Sequence, residues 1–248
     1  MKRGLLLIDR GSHEDDVKQE LQYICDKVKQ KGDYHVSDYC FLEVLPPYIE
    51  EGINSCLLAE IDSLTIVPYF LYPGRKVKAA VDTAEKFQPK TKVKLSISKP
   101  MNMHESLIML VDEKVQSILA KNKFTAAKNN VDVLMIGHGS KDPDARSALK
   151  YVADGIGTLY RNVSYCFLEI EEPNIKQGID ACAKNNPDCL VVMPYFLHKG
   201  AHVKRDIYED LNPAIKDSGI KQVFLSEHLG IDDKMVDLVL ERAREVEN

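Results

Sequence analysis

Three blocks of this chain occur twice, in the same order and at almost the same separation. Gly4-Leu-Leu-Leu-Ile-Asp-Arg-Gly-Ser12 returns as Asp132-Val-Leu-Met-Ile-Gly-His-Gly-Ser140. The block Cys40-Phe-Leu-Glu43, which runs on to Gly52-Ile53, returns as Cys166-Phe-Leu-Glu169 running on to Gly178-Ile179. Val67-Pro-Tyr-Phe-Leu71 returns as Met193-Pro-Tyr-Phe-Leu197, and Ser98 finds its counterpart in Ser226. Offsets of 126 to 128 residues leave room for only small insertions, so the chain is a tandem duplication. The repeats are taken as residues 1–124 and 125–248, with the polar, Asn-rich stretch 121–130 as the linker.

A duplicated chain folds as two copies of one unit, and the unit is legible. Short β-rich apolar runs at 4–9, 36–42, 64–71 and 92–98 alternate with longer amphipathic stretches such as 14–30 and 104–120. The second repeat places strands at 131–137, 163–169, 189–197 and 221–226. Strands as continuously apolar as Leu190–Leu197 are buried on both faces, as in a parallel sheet covered by helices. The expected fold class is therefore α/β: two tandem doubly wound, flavodoxin-like domains, each a four-stranded, mainly parallel sheet flanked by helices. Ligands of such sheets bind beyond the carboxyl ends of the strands. His138, Glu169, His198 and His202 all fall at such ends.

The copies differ where chemistry would sit. His138, in Gly137-His138-Gly139-Ser140 on the turn leaving the first strand, is matched by Arg10. His198 and His202 are matched by Tyr72 and Lys76. The fold thus requires no imidazole at these positions, and their joint presence in one copy points to a functional site there. Neutral imidazoles suit Co, Ni, Fe or Zn and are largely deprotonated near pH 7. Glu169 and its match Glu43 occur in both copies, which suits either a carboxylate that accepts protons and holds a cation or a structural acceptor of backbone amides. Ser140 and Ser12 have a helix-capping role available. Lys199, Lys204 and Arg205, with Lys141 and Arg146, give the histidine loops a positive field suited to a polyanionic small ligand, and Arg75, Lys76 and Lys78 keep similar charge in the first copy.

Composition excludes more than it suggests. A net charge of -5 disfavours a general nucleic-acid binder. The six cysteines form no C-x-x-C pair, so a structural zinc site is not expected, and their repetition (Cys40 with Cys166, Cys56 with Cys182) fits small core residues. The apolar run after the opening Met-Lys-Arg is too short for a signal segment, and no stretch is long enough to span a bilayer. A cytoplasmic location is the default expectation.

Taken in order, these motifs resemble the CbiX/SirB family of class II chelatases, which insert a divalent metal into sirohydrochlorin. The family pattern is an apolar strand ending in G-H-G-S, then F-L-E with a following Pro and Gly, then a Pro-containing strand leading to G-x-H and Asp-Ile. Here these are Gly137–Ser140, Phe167-Leu168-Glu169 with Pro173 and Gly178, and Pro194 leading to Gly200-Ala201-His202 and Asp206-Ile207. The resemblance covers essentially the whole chain, since long members of the family are themselves duplicated. It implies that His138 and His202 are the metal-handling and catalytic histidines and that Glu169 is the accompanying acid/base. Substrate carboxylates would meet Ser140, Lys199, Lys204 and Arg205, with Arg10 and Lys76 contributing from the first repeat. The first repeat departs from the pattern at Asp9, Arg10 and Lys76, so a single active site is expected, in the second repeat.

The resemblance implies no cofactor beyond the metal, which is itself a substrate: Co2+ by association of the long form with cobalamin synthesis, otherwise Fe2+ or Ni2+. The expected partners are sirohydrochlorin and that metal, with no nucleic acid and no membrane, and a fused pair of repeats leads to the expectation of a pseudo-dimeric monomer. Two other classes stay open at this level. One is a non-catalytic tetrapyrrole or metal carrier; the other is a hydrolase using Ser140, which the absence of G-x-S-x-G disfavours.

Overall fold

The computed structural model describes residues 1–125, 127–198, 200 and 207–247, with Tyr208 described by its backbone alone. Two compact units are formed: residues 1–102 with 231–248, and residues 103–230.

The first unit is built on β1 (Arg3–Asp9), β2 (Val36–Phe41), β3 (Ser63–Pro68) and β4 (Lys94–Ile97), joined through α1 (Asp15–Gly32), α2 (Ile49–Leu57) and α3 (Arg75–Glu85). Its strands are all parallel in the order β2-β1-β3-β4. Leu5–Ile8 of β1 are wholly buried because the central strand has helices on both faces. Burying such a side chain contributes roughly 1.5–3 kcal/mol. On one face Leu6, Ile8, Ile53, Leu64 and Ile66 pack with Ala80 and Ala84 of α3 into a single cluster.

The second unit repeats the design with β5 (Val131–Gly137), β6 (Asn162–Phe167), β7 (Cys189–Pro194) and β8 (Val223–Leu225), again parallel and ordered β6-β5-β7-β8. With α4 (Glu105–Lys121), α5 (Pro143–Ile156), α6 (Ile175–Lys184), α7 (Ile207–Ser218) and α8 (Asp233–Arg244) named, each helix start has a local cause where one is visible. The Asp142 carboxylate accepts the Asp144 N–H and Pro143 opens α5, while Asn174 and Gln177 form a reciprocal capping box at α6. Gly178 on α6 is required by close packing: an added Cβ would stand 2.8 Å from the Cys166 Cβ on β6. All six cysteines are buried, and burial pushes their thiols up, Cys189 to about 11 and Cys56 to about 12, so they are inert packing groups.

Two differences from the sequence expectation matter. The third strands stop at Pro68 and Pro194 instead of running to residues 71 and 197. The Tyr69 and Tyr195 N–H groups make the last ladder bonds, to the Ile8 and Ile136 carbonyls, each at 2.8 Å. Phe70 and Phe196 then turn back onto the carbonyls of the two prolines at 3.0 and 3.1 Å. The second difference concerns the boundary at 124/125. The helix that closes the first repeat, α4, belongs to the unit of the second sheet, burying Leu107, Leu110, Val111, Val115 and Leu119 there. The helix that closes the second repeat, α8, belongs to the unit of the first sheet. Sequence repeat and spatial unit therefore differ by an exchange of their last helices. Equivalent helices carry equivalent apolar faces, which makes such an exchange possible.

α8 is anchored by the segment after it. The Glu247 carboxylate accepts from Tyr34 OH at 2.6 Å and Thr65 Oγ1 at 2.8 Å, and Arg3 donates to its other oxygen at 2.8 Å. In the second unit Asp112 of α4 takes bonds from Tyr160 OH and Lys128. Burial alone would raise the Asp112 carboxyl, but its bonds from Lys128, Tyr160 and Gln116 outweigh this and hold it below the ordinary value. Lys128 thus ties down part of the stretch read as a linker, which also contains a short 3-10 turn at Lys128–Asn130.

Candidate active site

The order β6-β5-β7-β8 reverses direction at β5, and the carboxyl end of β5 is where a ligand crevice of this architecture lies. β5 ends at Gly137, so His138 is the first residue past it. β6 ends at Phe167, which leaves Glu169 in the turn beyond the strand, two residues further than the sequence implied. The backbone joins the two ends: Leu168 N–H donates to the Gly137 carbonyl at 2.8 Å and Glu169 N–H to the His138 carbonyl at 3.0 Å. Gly139 makes this closeness possible. Its φ is +93°, and a Cβ there would stand 1.9 Å from the Glu169 carbonyl oxygen.

The turn after Glu169 is tight. Glu171 N–H bonds back to the Glu169 carbonyl at 2.7 Å, and the central residue Ile170 is held at φ 71°, a strained value for a β-branched side chain. The two side chains meet in consequence, with His138 Nε2 at 3.2 Å from Glu169 Oε1. His138 is 25% exposed and Glu169 50%, and His138 Nε2 itself is shielded from solvent, so the pair is positioned by protein and open on the carboxylate side. Phe196, just past β7, sets its ring edge-on to the imidazole at 6.5 Å. Among the described residues no group of three His, Cys, Asp or Glu converges on one point.

His202, Lys199, Lys204 and Arg205 lie outside the described residues. His198 is described, half-buried in the bend after β7. Lys141 is exposed on the β5–α5 loop. Ser140 is not the cap of α5, a role taken by Asp142. Its hydroxyl accepts the Asp142 N–H at 3.0 Å, and the Ser12 hydroxyl accepts the Glu14 N–H at 3.2 Å. The same use in both repeats is that of a turn residue leading into a helix, and it removes the reason to read Ser140 as a nucleophile.

The matching point of the first repeat is closed by its own cations. Arg10 Nε donates to Glu43 Oε1 at 3.0 Å, and Lys76 Nζ pairs with Glu43 Oε2. The hydrogen bond from Lys76 first, then that from Arg10, holds the Glu43 carboxyl below its ordinary value. Arg10 and Lys76 were expected to face substrate carboxylates; in the structure their charges are engaged by Glu43.

Read from sequence, two contributors have no role and a third has a different one. Phe196 could have been found, because its Pro-Tyr-Phe-Leu block is repeated. Glu171 is replaced by Leu45 in the first repeat, and Arg146 reads from sequence as part of the positive field for a polyanionic ligand. Glu171 accepts the Ser140 N–H at 2.9 Å and pairs with Arg146 Nε at 2.7 Å, while Arg146 also donates to the Glu172 carbonyl at 2.8 Å.

A duplicated parallel α/β chain, with an imidazole–carboxylate pair at the strand ends of one copy, has the organisation that the sequence resemblance to the class II chelatases implied. The CbiX family model matches residues 4–118 and again 132–246, and the chain belongs to this family. It is 27% identical to the sirohydrochlorin cobaltochelatase of Priestia megaterium, across 98% of this chain and 79% of that protein. To the sirohydrochlorin ferrochelatase of the same organism it is 24% identical, across 95% and 87%. Among solved structures it resembles SirB from Bacillus subtilis with Fe3+, with a TM-score of 0.81 at 23% identity over 99% of this chain and 95% of that one. SirB from Bacillus subtilis subspecies spizizenii in complex with cobalt is also similar, with a TM-score of 0.76 at 21% identity over the same shares.

Proposed function

We propose that this protein is a sirohydrochlorin chelatase that inserts a divalent metal, with Co2+ favoured, into the tetrapyrrole and releases two protons. The observation that carries this reading is the contrast between the repeats at one carboxylate. In the first, Arg10 and Lys76 both reach Glu43. The residues aligned with them in the second are His138 and His202, and Glu169 aligns with Glu43. His138 already stands 3.2 Å from the Glu169 carboxylate. Two imidazoles beside the carboxylate, in place of two fixed cations that outnumber it, turn a net-positive point into one that receives M2+.

The chemistry asks three things of the chain. Insertion exchanges two pyrrole N–H protons for one metal ion, so a base must take protons, ligands must displace water from the metal, and the macrocycle must be held. His138 and His202 would ligate the metal and accept protons in turn, and Glu169 would stabilise the cationic forms. Lys199, Lys204 and Arg205 would bind substrate carboxylates beside Ser140. The reaction as read uses no cofactor besides the metal substrate, and we read the chain as acting as a monomer, its repeats standing in for two subunits. Relatives named for cobalt and for iron both lie within the similarity, and an imidazole–carboxylate site does not choose between these metals by affinity alone.

The test is the rate of insertion into sirohydrochlorin, followed by absorbance, with Co2+, Fe2+ and Ni2+ side by side. Removing an acid–base or ligating group lowers such rates by about 10²–10⁴-fold, so His138→Ala and His202→Ala are expected to fall that far. Rates equal to wild type in both variants, above the spontaneous reaction, would sink the reading.

A further inference from the structure

The two repeats build the same junction between strand ends. Leu42 and Glu43 donate to the Asp9 and Arg10 carbonyls at 2.8 and 3.1 Å, and Leu45 N–H closes the tight turn onto the Glu43 carbonyl at 3.0 Å. Val44 stands at φ 79° there, as Ile170 stands at 71° in the second repeat. The turn thus forms equally well with Leu45 where the second repeat has Glu171. The buried positions of α1 (Val17, Leu21, Ile24, Cys25, Val28) match Ala145, Leu149, Val152, Ala153 and Ile156 of α5, and this register puts Lys18 where Arg146 stands. Lys18 pairs within its own helix, with Asp15 at 3.5 Å. The Glu171–Arg146 pair is therefore an addition made only in the repeat with histidines, and neither fold nor turn calls for it.

The pair has a definite connection. Glu171 is 14% exposed, with one oxygen on the Ser140 N–H and the other on Arg146. Arg146 spans Glu171 and the Glu172 carbonyl and lies over the Phe167 ring at 5.1 Å. The loop carrying His138 and the turn carrying Glu169 are thereby fastened to each other one residue beyond each functional group's immediate neighbour. In the first repeat Arg10 fastens the same two segments through Glu43 itself, and Lys76 ties the start of α3 to the same carboxylate. That solution is closed to a site whose carboxylate and imidazole have to stay available. We propose that Glu171 and Arg146 are positioning residues that clamp the His138 loop to the Glu169 turn, setting the His138–Glu169 separation while bonding to neither of those side chains. The inference rests on the reading of that pair as the metal-handling site.

The experiment uses the full chain and two readouts: Co2+ affinity from the visible absorption of a titration without tetrapyrrole, with His138→Ala as control, and kcat and KM for insertion. Glu171→Leu, which installs the first repeat's residue, is expected to weaken Co2+ binding and lower kcat by roughly 10–100-fold, the range for residues that orient metal ligands, with KM for the tetrapyrrole nearly unchanged. Glu171→Gln keeps an acceptor for Ser140 N–H and is expected to retain most of kcat. Reversing the pair, Glu171→Arg with Arg146→Glu, restores the ion pair but turns a cation toward that N–H, so it should stay as impaired as Glu171→Leu. Wild-type Co2+ affinity and kcat in Glu171→Leu, or a loss confined to KM, would overturn the proposal. If Glu171→Leu fails to fold, equal kcat in Glu171→Gln and the charge-reversed protein overturns it instead. A wild-type protein that binds Co2+ through His138 but inserts none defeats the chelatase reading alone, because the titration still judges the clamp.

Discussion

At the scale of single residues, the contrast between Glu43 and Glu169 decides what each repeat does. Glu43 is held below the ordinary carboxylate value chiefly by Lys76 and then by Arg10. A lowered folded-state pKa means that these pairs contribute above the ordinary value and are lost as pH falls through the depressed one. Carbon NMR of the Glu43 carboxyl should therefore show a midpoint below that of an exposed glutamate. In Arg10→Ala/Lys76→Ala the midpoint should return upward, and an unchanged midpoint would contradict the ion pairs. A second expectation concerns rebuilding. Arg10→His with Lys76→His, made in a His138→Ala background, should leave insertion at least about 10–100-fold below wild type, because Leu45 and Lys18 supply no clamp; recovery to near wild type would refute this. Gly139→Ala should cost about 1–3 kcal/mol for a non-glycine residue forced into positive φ, and most of the activity, since its Cβ would displace the Glu169 carbonyl. Thermal melts and insertion rates measure both. Much of this was readable from sequence, because duplication supplied an internal comparison: His138, Glu169, Arg10 and Lys76 were all marked by it. Glu171 was not, since an isolated acidic residue next to another gives no sign that it will be folded onto Ser140 N–H and Arg146.

At the scale of elements, the repeated β-α alternation identified the strands well, because each buried central strand is continuously apolar and each covering helix is amphipathic. What periodicity missed was the ends. Apolar character persists through Tyr69–Leu71 and Tyr195–Leu197, yet a proline closes each ladder, and the residues beyond pack as turns. Glu169 moved off its strand for the same reason: Phe-Leu-Glu reads as extended, while the bond from Glu171 N–H to the Glu169 carbonyl needs a sharp reversal. Helix-to-strand packing gives a testable case in Gly178. Its approach to Cys166 leaves no room for a methyl, so Gly178→Ala should destabilise by about 1–3 kcal/mol as an overpacked contact. A melting temperature equal to wild type would show that α6 can withdraw without penalty.

At the scale of the whole molecule, the repeat boundary in sequence and the division in space part company, because α4 and α8 are exchanged. No periodicity argument distinguishes an exchanged helix from an unexchanged one, as the two faces look alike from sequence. Glu247 carries the consequence for stability. Removing its carboxylate by Glu247→Ala leaves Tyr34 OH, Thr65 Oγ1 and Arg3 to find new partners, a loss of about 1–3 kcal/mol for a partly buried acceptor. Hydrogen exchange should report that loss in the amides of β1 and β3 and spare those of β5 and β7; equal effects in both sheets would contradict the assignment of α8 to the first unit.

The exchange also sets a timetable for synthesis. Arg3 and Glu247 are bonded across 244 positions of chain, so the first sheet to leave the ribosome is the last to be finished. Its α8-facing side waits, exposed, until residues 231–247 follow, while the second sheet already has α4 at hand when β5 emerges. Contacts so distant in sequence slow folding and lengthen the exposure of apolar surface. Protease digestion of stalled nascent chains should find strands β5 to β8 protected before β1 to β4, an order opposite to that in which they are made.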